Sequence, residues 1–403
     1  MADVMTHIEE MDLYMLQEEQ RALEISVQRM TLGMARGANW LISEFGPDGP
    51  IMRDPDVSYN HKVTWGLYED ARFEEVWRML DWLDANAKRS LGQYYFEEEP
   101  DFNREAQRVY RFLTFGKVAE AMNHPAYCSD ELRELICTYQ HETGGCYGHP
   151  DDPELKTTLN PLLASFFCEW ALPAGLDEAA KKSGDFMCML VDLNEESMND
   201  DPGCFYYSYD IEKGKLITES PDGQAVNCRV DTVGNKQHFY HMGCSMAALA
   251  DLYLAGHGEK YLNAAKKLAD FTERCNPEGL RWPSYCKVGW GAAELYLATG
   301  HPCHRIMASN CADITFLNSQ TKTGGWEILY YPLTDSGAWD RIAYDGAGNV
   351  PEMMTGEDDD GSWAWLSGHE LSGEFLGEMG RTLKCFKAAL GYVERRIAKL
   401  ETY

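Results

Sequence analysis

No stretch of this chain stays apolar for the roughly 18 residues that a membrane-crossing helix needs, so a lipid-spanning reading is excluded. The opening residues carry Asp3, Glu9, Glu10, Asp12, Glu18 and Glu19, with no basic start and no apolar core. They do not read as a signal or transit peptide. Basic residues are scarce, with 36 Lys and Arg against 65 Asp and Glu, a net charge of -29. Such a surface repels phosphate backbones and anionic lipids over a Debye length of roughly 8 Å. Neither nucleic acid nor membrane insertion is expected, which leaves a small-molecule substrate as the partner and a homo-oligomer open.

Several motifs are also missing. There is no Walker loop, no GxSxG elbow, no dinucleotide fingerprint after a strand, no HExxH and no paired CxxC. Phosphoryl transfer, serine hydrolysis, nicotinamide chemistry and a zinc centre thereby lose their usual sequence support. No cofactor and no metal are expected. The thirteen cysteines have no repeated spacing, sit within apolar runs such as Met187-Cys188-Met189, and are odd in number. Reduced thiols in a cytoplasmic protein fit this better than a disulfide framework.

What the chain has is repetition. Leu252-Tyr253-Leu254-Ala255-Gly256-His257 is echoed by Leu295-Tyr296-Leu297-Ala298-Thr299-Gly300-His301. Each reads as a helix end with a glycine stop. Similar stops are expected at Gly116, Gly175 and Gly380, with Ala71 as a version without glycine. After Ala71, residues Phe73, Val76, Trp77, Leu80 and Leu83 lie on one helical face; after Gly256, so do Tyr261, Ala264, Ala265, Leu268 and Phe271. A single apolar face predicts an outer helix packed on an inner one. The expectation is one all-α domain over 1–403, an (α/α)6 toroid of helical hairpins around a central funnel-shaped site. It opens with an amino-terminal helix over 1–34, and loop insertions at 210–236 and 333–360 cap one end.

The unit Glu142-Thr143-Gly144-Gly145-Cys146-Tyr147-Gly148 before a helical run resembles the glycine-rich aromatic repeats of α/α-toroids such as squalene cyclases and prenyltransferase β subunits. Phe205-Tyr206-Tyr207-Ser208-Tyr209 resembles linalool dehydratase-isomerase, another α/α-barrel enzyme. Carbohydrate lyases, glycoside hydrolases and sugar epimerases share the toroid, so the resemblance implies a fold and leaves the reaction open.

In such a ring the turns before the inner helices line the funnel, where helix amino ends favour developing negative charge. That places an aromatic collar of Tyr59, Tyr95, Tyr147, Tyr206, Trp282, Tyr285, Trp326 and Tyr331, with Glu327, as substrate-binding candidates. For acid–base chemistry the candidates are His238, Tyr240 and His241 at the expected start of the fourth inner helix, His61, and Asp358 and Asp359. Crowded carboxylates raise one another's pKa, so the run Glu357-Asp358-Asp359-Asp360 offers a general acid. It resembles the acidic motif of class II terpene cyclases, with Glu357 standing where an Asp is expected.

The leading expectation is a cofactor-independent lyase or isomerase, cyclases included, acting on a small and largely apolar metabolite such as a terpenoid or polyketide. The first alternative is a carbohydrate-active toroid: a glycoside hydrolase, polysaccharide lyase or sugar epimerase. The second is a non-catalytic binding toroid.

Overall fold

The structure, a computed structural model, describes residues 5–46, 57–95, 108–147, 157–197, 203–220, 225–234, 237–326, 329–332, 363–366 and 368–402. Six helices form an inner ring: α3 (Val57–Glu69), α5 (Arg108–Ala121), α7 (Pro161–Ala171), α9 (Tyr240–Leu254), α11 (Cys286–Thr299) and α13 (Gly368–Glu401). Each packs on the next, and α13 closes the circle against α3. An outer layer comprises α4 (Phe73–Asn86), α6 (Asp130–Cys137), α8 (Asp177–Ser197), α10 (Glu259–Glu273) and α12 (Pro302–Cys311). The sixth outer position belongs to α2 (Leu13–Ser43), which follows the short α1 (Thr6–Glu9) and packs along α13. The first long helix thus partners the last, and the fold is an all-α toroid.

The inner helices are apolar nearly all round, because one face meets the outer layer and the other the axis. In α9 every residue from His241 to Ala250 is buried. Backbones there approach too closely for side chains: a Cβ on Gly243 would strike the Lys287 backbone, and one on Gly291 would lie 2.7 Å from Met246 Cβ. The outer helices keep one buried stripe. On α10, all five expected residues, Tyr261, Ala264, Ala265, Leu268 and Phe271, are buried. On α4 the stripe is Val76, Met79, Leu80 and Leu83, while Phe73 and Trp77 remain 52% and 38% exposed.

Three of the expected stops are left-handed glycines after inner helices: Gly175 (φ 72°), Gly256 (φ 88°) and Gly300 (φ 73°). Ala71 takes the same conformation at φ 60°. Gly116 and Gly380 are corrected, since both lie inside helices, α5 and α13. Gly116 is there because the Phe112 ring covers it, and Gly380 because Glu69 of α3 packs on it. The true stop after α5 is Asn123, at φ 53°, the residue type that best tolerates this region after glycine.

Strands are short and lie in the connections. The first hairpin pairs β1 (Lys88–Ser90) with β2 (Gln93–Tyr94). Strand β3 (Thr158–Leu159) pairs β5 (Tyr209–Asp210), which pairs β6 (Lys215–Leu216), and β4 (Cys204–Tyr206) pairs β7 (Arg229–Asp231). The segment expected as an insertion at 210–236 supplies β6, β7 and a 3-10 turn at Ala225–Asn227. Strands β8 (Leu329–Pro332) and β9 (Trp363–Leu366) pair with each other; residues 333–360 lie outside the described residues.

Candidate functional site

Each inner helix turns a stripe with three- or four-residue spacing toward the axis, and the stripes stack in three tiers. On α3 the stripe reads Lys62, Trp65, Glu69; on α11, Lys287, Trp290, Glu294; on α13, Glu374, Glu378, Arg381. Tyr110 and Lys117 of α5, Phe166 and Glu169 of α7, and His241, Cys244 and Asp251 of α9 complete them.

The amino-end tier is an ion-pair cluster. Lys62 lies 2.8 Å from both Glu370 and Glu374. Lys287 contacts Glu374 and stands 3.1 Å from Glu378. Burial opposes the charge on both lysines, yet neighbouring carboxylates hold them above their ordinary value, Glu370 chiefly for Lys62 and Glu378 for Lys287. Both therefore remain ammonium groups in a site of low polarity.

His241 is 4% exposed and stacks on Tyr207 with ring centroids 3.7 Å apart. Tyr207 Oη meets His238 Nδ1 at 3.0 Å, and the His238 ring stacks on Tyr240. Burial, then the charges of His238 and Lys287, push His241 well below the ordinary histidine value; burial takes His238 to about 4. Both imidazoles are therefore neutral at pH 7, the form that accepts a proton. The thiols nearby are held protonated by burial, Cys244 up to about 12 and Cys286 well above its ordinary value, so neither is a thiolate nucleophile.

Cys286 Sγ and carboxylate oxygens of Glu374 and Glu378 lie within 4.8 Å of one another, the spacing of a metal-binding trio. Lys287 already meets the charge of both carboxylates, which disfavours a divalent cation there.

The middle tier is aromatic. Trp65, Phe166 and Trp290 are fully buried, with centroids 5.4 Å apart for the two tryptophans and 6.2 and 6.5 Å from each to Phe166. Tyr110 packs edge-on above Phe166 at 4.9 Å. Beneath, at the carboxyl ends, Arg381 donates to Glu294 at 2.9 Å and Asp251 at 2.6 Å, and Lys117 lies 3.9 Å from Glu169.

Of the expected catalytic residues, His238, Tyr240 and His241 come together at the amino end of α9. His61 is buried on the second turn of α3, edge-on to Tyr110 at 5.9 Å, one residue from Lys62. Asp358, Asp359 and Glu327 lie outside the described residues. Tyr59 lies in α3 and Tyr331 in β8.

Of the rest of the collar, Tyr206, Trp282, Tyr285 and Trp326 are buried. Trp326 is wholly buried, edge-on to Phe375, with Nε1 donating to the Phe316 carbonyl at 2.9 Å. Trp282 is 1% exposed, and Tyr285 packs edge-on against Phe239 at 5.0 Å. Tyr206 is buried in β4, its backbone held on both sides by the Asn194 amide. Tyr147 packs on His141 before α7, and Tyr95 follows the β1–β2 hairpin beneath the Arg89 guanidinium. Cys303 and His304 open the outer helix α12 beside His301.

Lys62, Lys287 and the Glu370–Glu374–Glu378 ladder were not singled out as acid–base groups. The signal was present: three glutamates four residues apart share one helical face, among glycines that mark a tight helix contact.

No family model matches the sequence, and no curated protein matches it. Solved structures do share the fold. A D-mannose isomerase aligns with a TM-score of 0.59 at 13% identity, over 88% of this chain and 97% of that one. An α-mannanase of glycoside hydrolase family 76 from Bacteroides thetaiotaomicron aligns at 0.54 and 11% identity, over 88% and 96%. An unsaturated glucuronyl hydrolase specific for heparin aligns at 0.51 and 12% identity, over 91% and 98%. These likenesses show the toroid fold and give no support to squalene cyclases or linalool dehydratase-isomerase in particular. They also correct the leading expectation of a terpenoid or polyketide substrate, since the solved structures that align are those of sugar-acting enzymes.

Proposed function

We propose that this chain is a carbohydrate-active enzyme that moves a proton on a sugar, in the manner of an epimerase or aldose–ketose isomerase, at the amino-end cluster. The observation that carries the reading is a neutral, buried His241 beside the ammonium group of Lys287. In this scheme His241 takes the proton from the carbon next to the sugar carbonyl. The electron pair moves onto the carbonyl oxygen as an enediolate, and Lys62 and Lys287 stabilise that oxyanion. Return of the proton to the same carbon on the other face completes epimerisation; return to the former carbonyl carbon, with the hydroxyl proton passing from the neighbouring oxygen to the old carbonyl oxygen, completes isomerisation.

Glycoside hydrolysis instead needs two carboxyl groups about 5–10 Å apart, free to act as acid and base. Glu370, Glu374 and Glu378 are each ion-paired to a lysine, which favours proton transfer over hydrolysis. The likeness to a D-mannose isomerase makes aldohexoses the first substrates to try. A reducing compartment such as the cytoplasm belongs to the same proposal, supported by thirteen free cysteines, most of them buried.

The test is incubation with aldohexoses and ketohexoses in D2O. Deuterium should enter at the carbon adjacent to the carbonyl, and His241→Ala should slow this by about 100-fold or more while remaining folded. Conversion without solvent exchange, an unchanged rate in the variant, or cleavage of glycosides with no sugar interconversion would each overturn the proposal.

A further inference from the structure

The carboxyl ends of the inner helices hold a second constellation that the proton-transfer scheme does not use. An open cavity of about 170 Å³ is lined there by Trp65, Glu69, Lys117, Glu169, Asp251 and Arg381. It is separated from the His241 cluster by the Trp65–Phe166–Trp290 tier, and its rim is Ala121, Leu172 and Pro173.

Two groups in this cavity have unmet hydrogen-bonding capacity. Glu169 is 6% exposed and its carboxyl shares a hydrogen bond with that of Asp251; its Oε2 is 3.9 Å from Lys117 and 4.0 Å from Arg381, beyond hydrogen-bond range. The Lys117 ammonium rests over the rings of Trp65, Phe166 and Trp290 at 3.8, 4.8 and 5.1 Å. That ion pair with Glu169 is its sole polar partner among the described residues. A buried acceptor and a buried donor that face one cavity without satisfying each other are costly unless a guest satisfies both.

Charge narrows the guest. Four carboxyl groups, Glu69, Glu169, Asp251 and Glu294, with Glu169 holding its proton up to about 7, meet three basic groups, Lys117, Arg381 and Lys384, so little net charge is left to hold an ion. Helix carboxyl ends add partial negative charge, so a phosphate or carboxylate is repelled. Lys117 within the cavity repels an amine. A neutral molecule bearing hydroxyls, each able both to donate and to accept, meets both demands. A cavity of about 170 Å³ suits one small molecule.

We infer that the carboxyl-end cavity binds one small neutral polyol, whose hydroxyls donate to Glu169 and accept from Lys117. The inference stands independently of the reaction assigned to the amino end. Its test is calorimetric titration of the full chain with mannitol, which has no carbonyl to react. Binding should saturate, weaken about tenfold or more in Glu169→Gln, and weaken equally in Ala121→Trp, which fills the exposed rim without touching the ion pairs. His241→Ala should bind mannitol as the unaltered chain does. Absence of saturable binding by mannitol, erythritol or glycerol overturns the inference. So does displacement of mannitol by inorganic phosphate or ethylammonium, or loss of binding in His241→Ala with none in Ala121→Trp.

Discussion

Glu169 holds its proton up to about 7 because burial and then the charge of Asp251 oppose ionisation, and Asp251 is raised to about 6, by burial and then by Glu294. In the unfolded chain Glu169 ionises near its ordinary 4.5. Between 4.5 and 7 the folded state therefore binds more protons than the unfolded one, and this group's contribution to stability falls as pH rises. Glu169→Gln removes that dependence. Urea denaturation across pH 4.5 to 8 should show the unaltered chain losing stability relative to the variant up to about 7, with a constant difference above; a difference that grows in the opposite direction would refute the assignment. At this scale the sequence was legible for His238, Tyr240 and His241, where histidines three apart at a helix start declare a shared face. It was not legible for Trp282 and Trp326, because residue type alone does not separate a ring that stacks on a ligand from one that fills a core. The two acidic residues expected in the run at 357–360 lie outside the described residues.

At the scale of the helix, α9 and α11 touch backbone to backbone at Gly243. Alanine there gains helix propensity of about 0.8–1.0 kcal/mol but meets the Lys287 backbone, which has no side chain to swing aside. Gly243→Ala should therefore destabilise by roughly 1–3 kcal/mol, the usual cost of overpacking, seen as a lower urea midpoint at unchanged slope. Gly391→Ala is the contrast. Its nearest neighbour is the flexible end of Arg395 at 3.5 Å, so the same substitution should stabilise by about 0.4–1 kcal/mol. Equal signs for the two variants would show that helix packing does not set the cost. The same distinction explains which helix ends could be read in advance. Gly175, Gly256 and Gly300 follow an apolar run and stop it, whereas Gly380 answers to Glu69 of α3, distant in sequence, and Gly116 to the Phe112 ring one turn back in its own helix.

For the whole molecule, the hairpin count was legible because each unit repeats an apolar face, but the identity of the sixth outer helix was not. Pairing α2 with α13 joins segments more than three hundred residues apart, a relation that periodicity does not encode. The segment before α2 is also built into the ring. Met5, Ile8 and Met11 are buried, Met5 N–H donates to Ala298 at 3.2 Å, and Ile8 packs on Gly300. A chain started at Leu13 should lose a large part of the roughly 1.5–3 kcal/mol that each buried side chain contributes, less the entropy regained by the freed residues. Its melting midpoint should fall by several degrees, and an unchanged midpoint would show that this segment is not anchored.

The tier of Trp65, Phe166 and Trp290 gives the toroid a floor, so it is a cup rather than a pipe. On the proposed reading, a sugar bound at the amino end would leave by the way it came, and a departing product would obstruct the next arrival. A long polymer could offer such a cup only its tip.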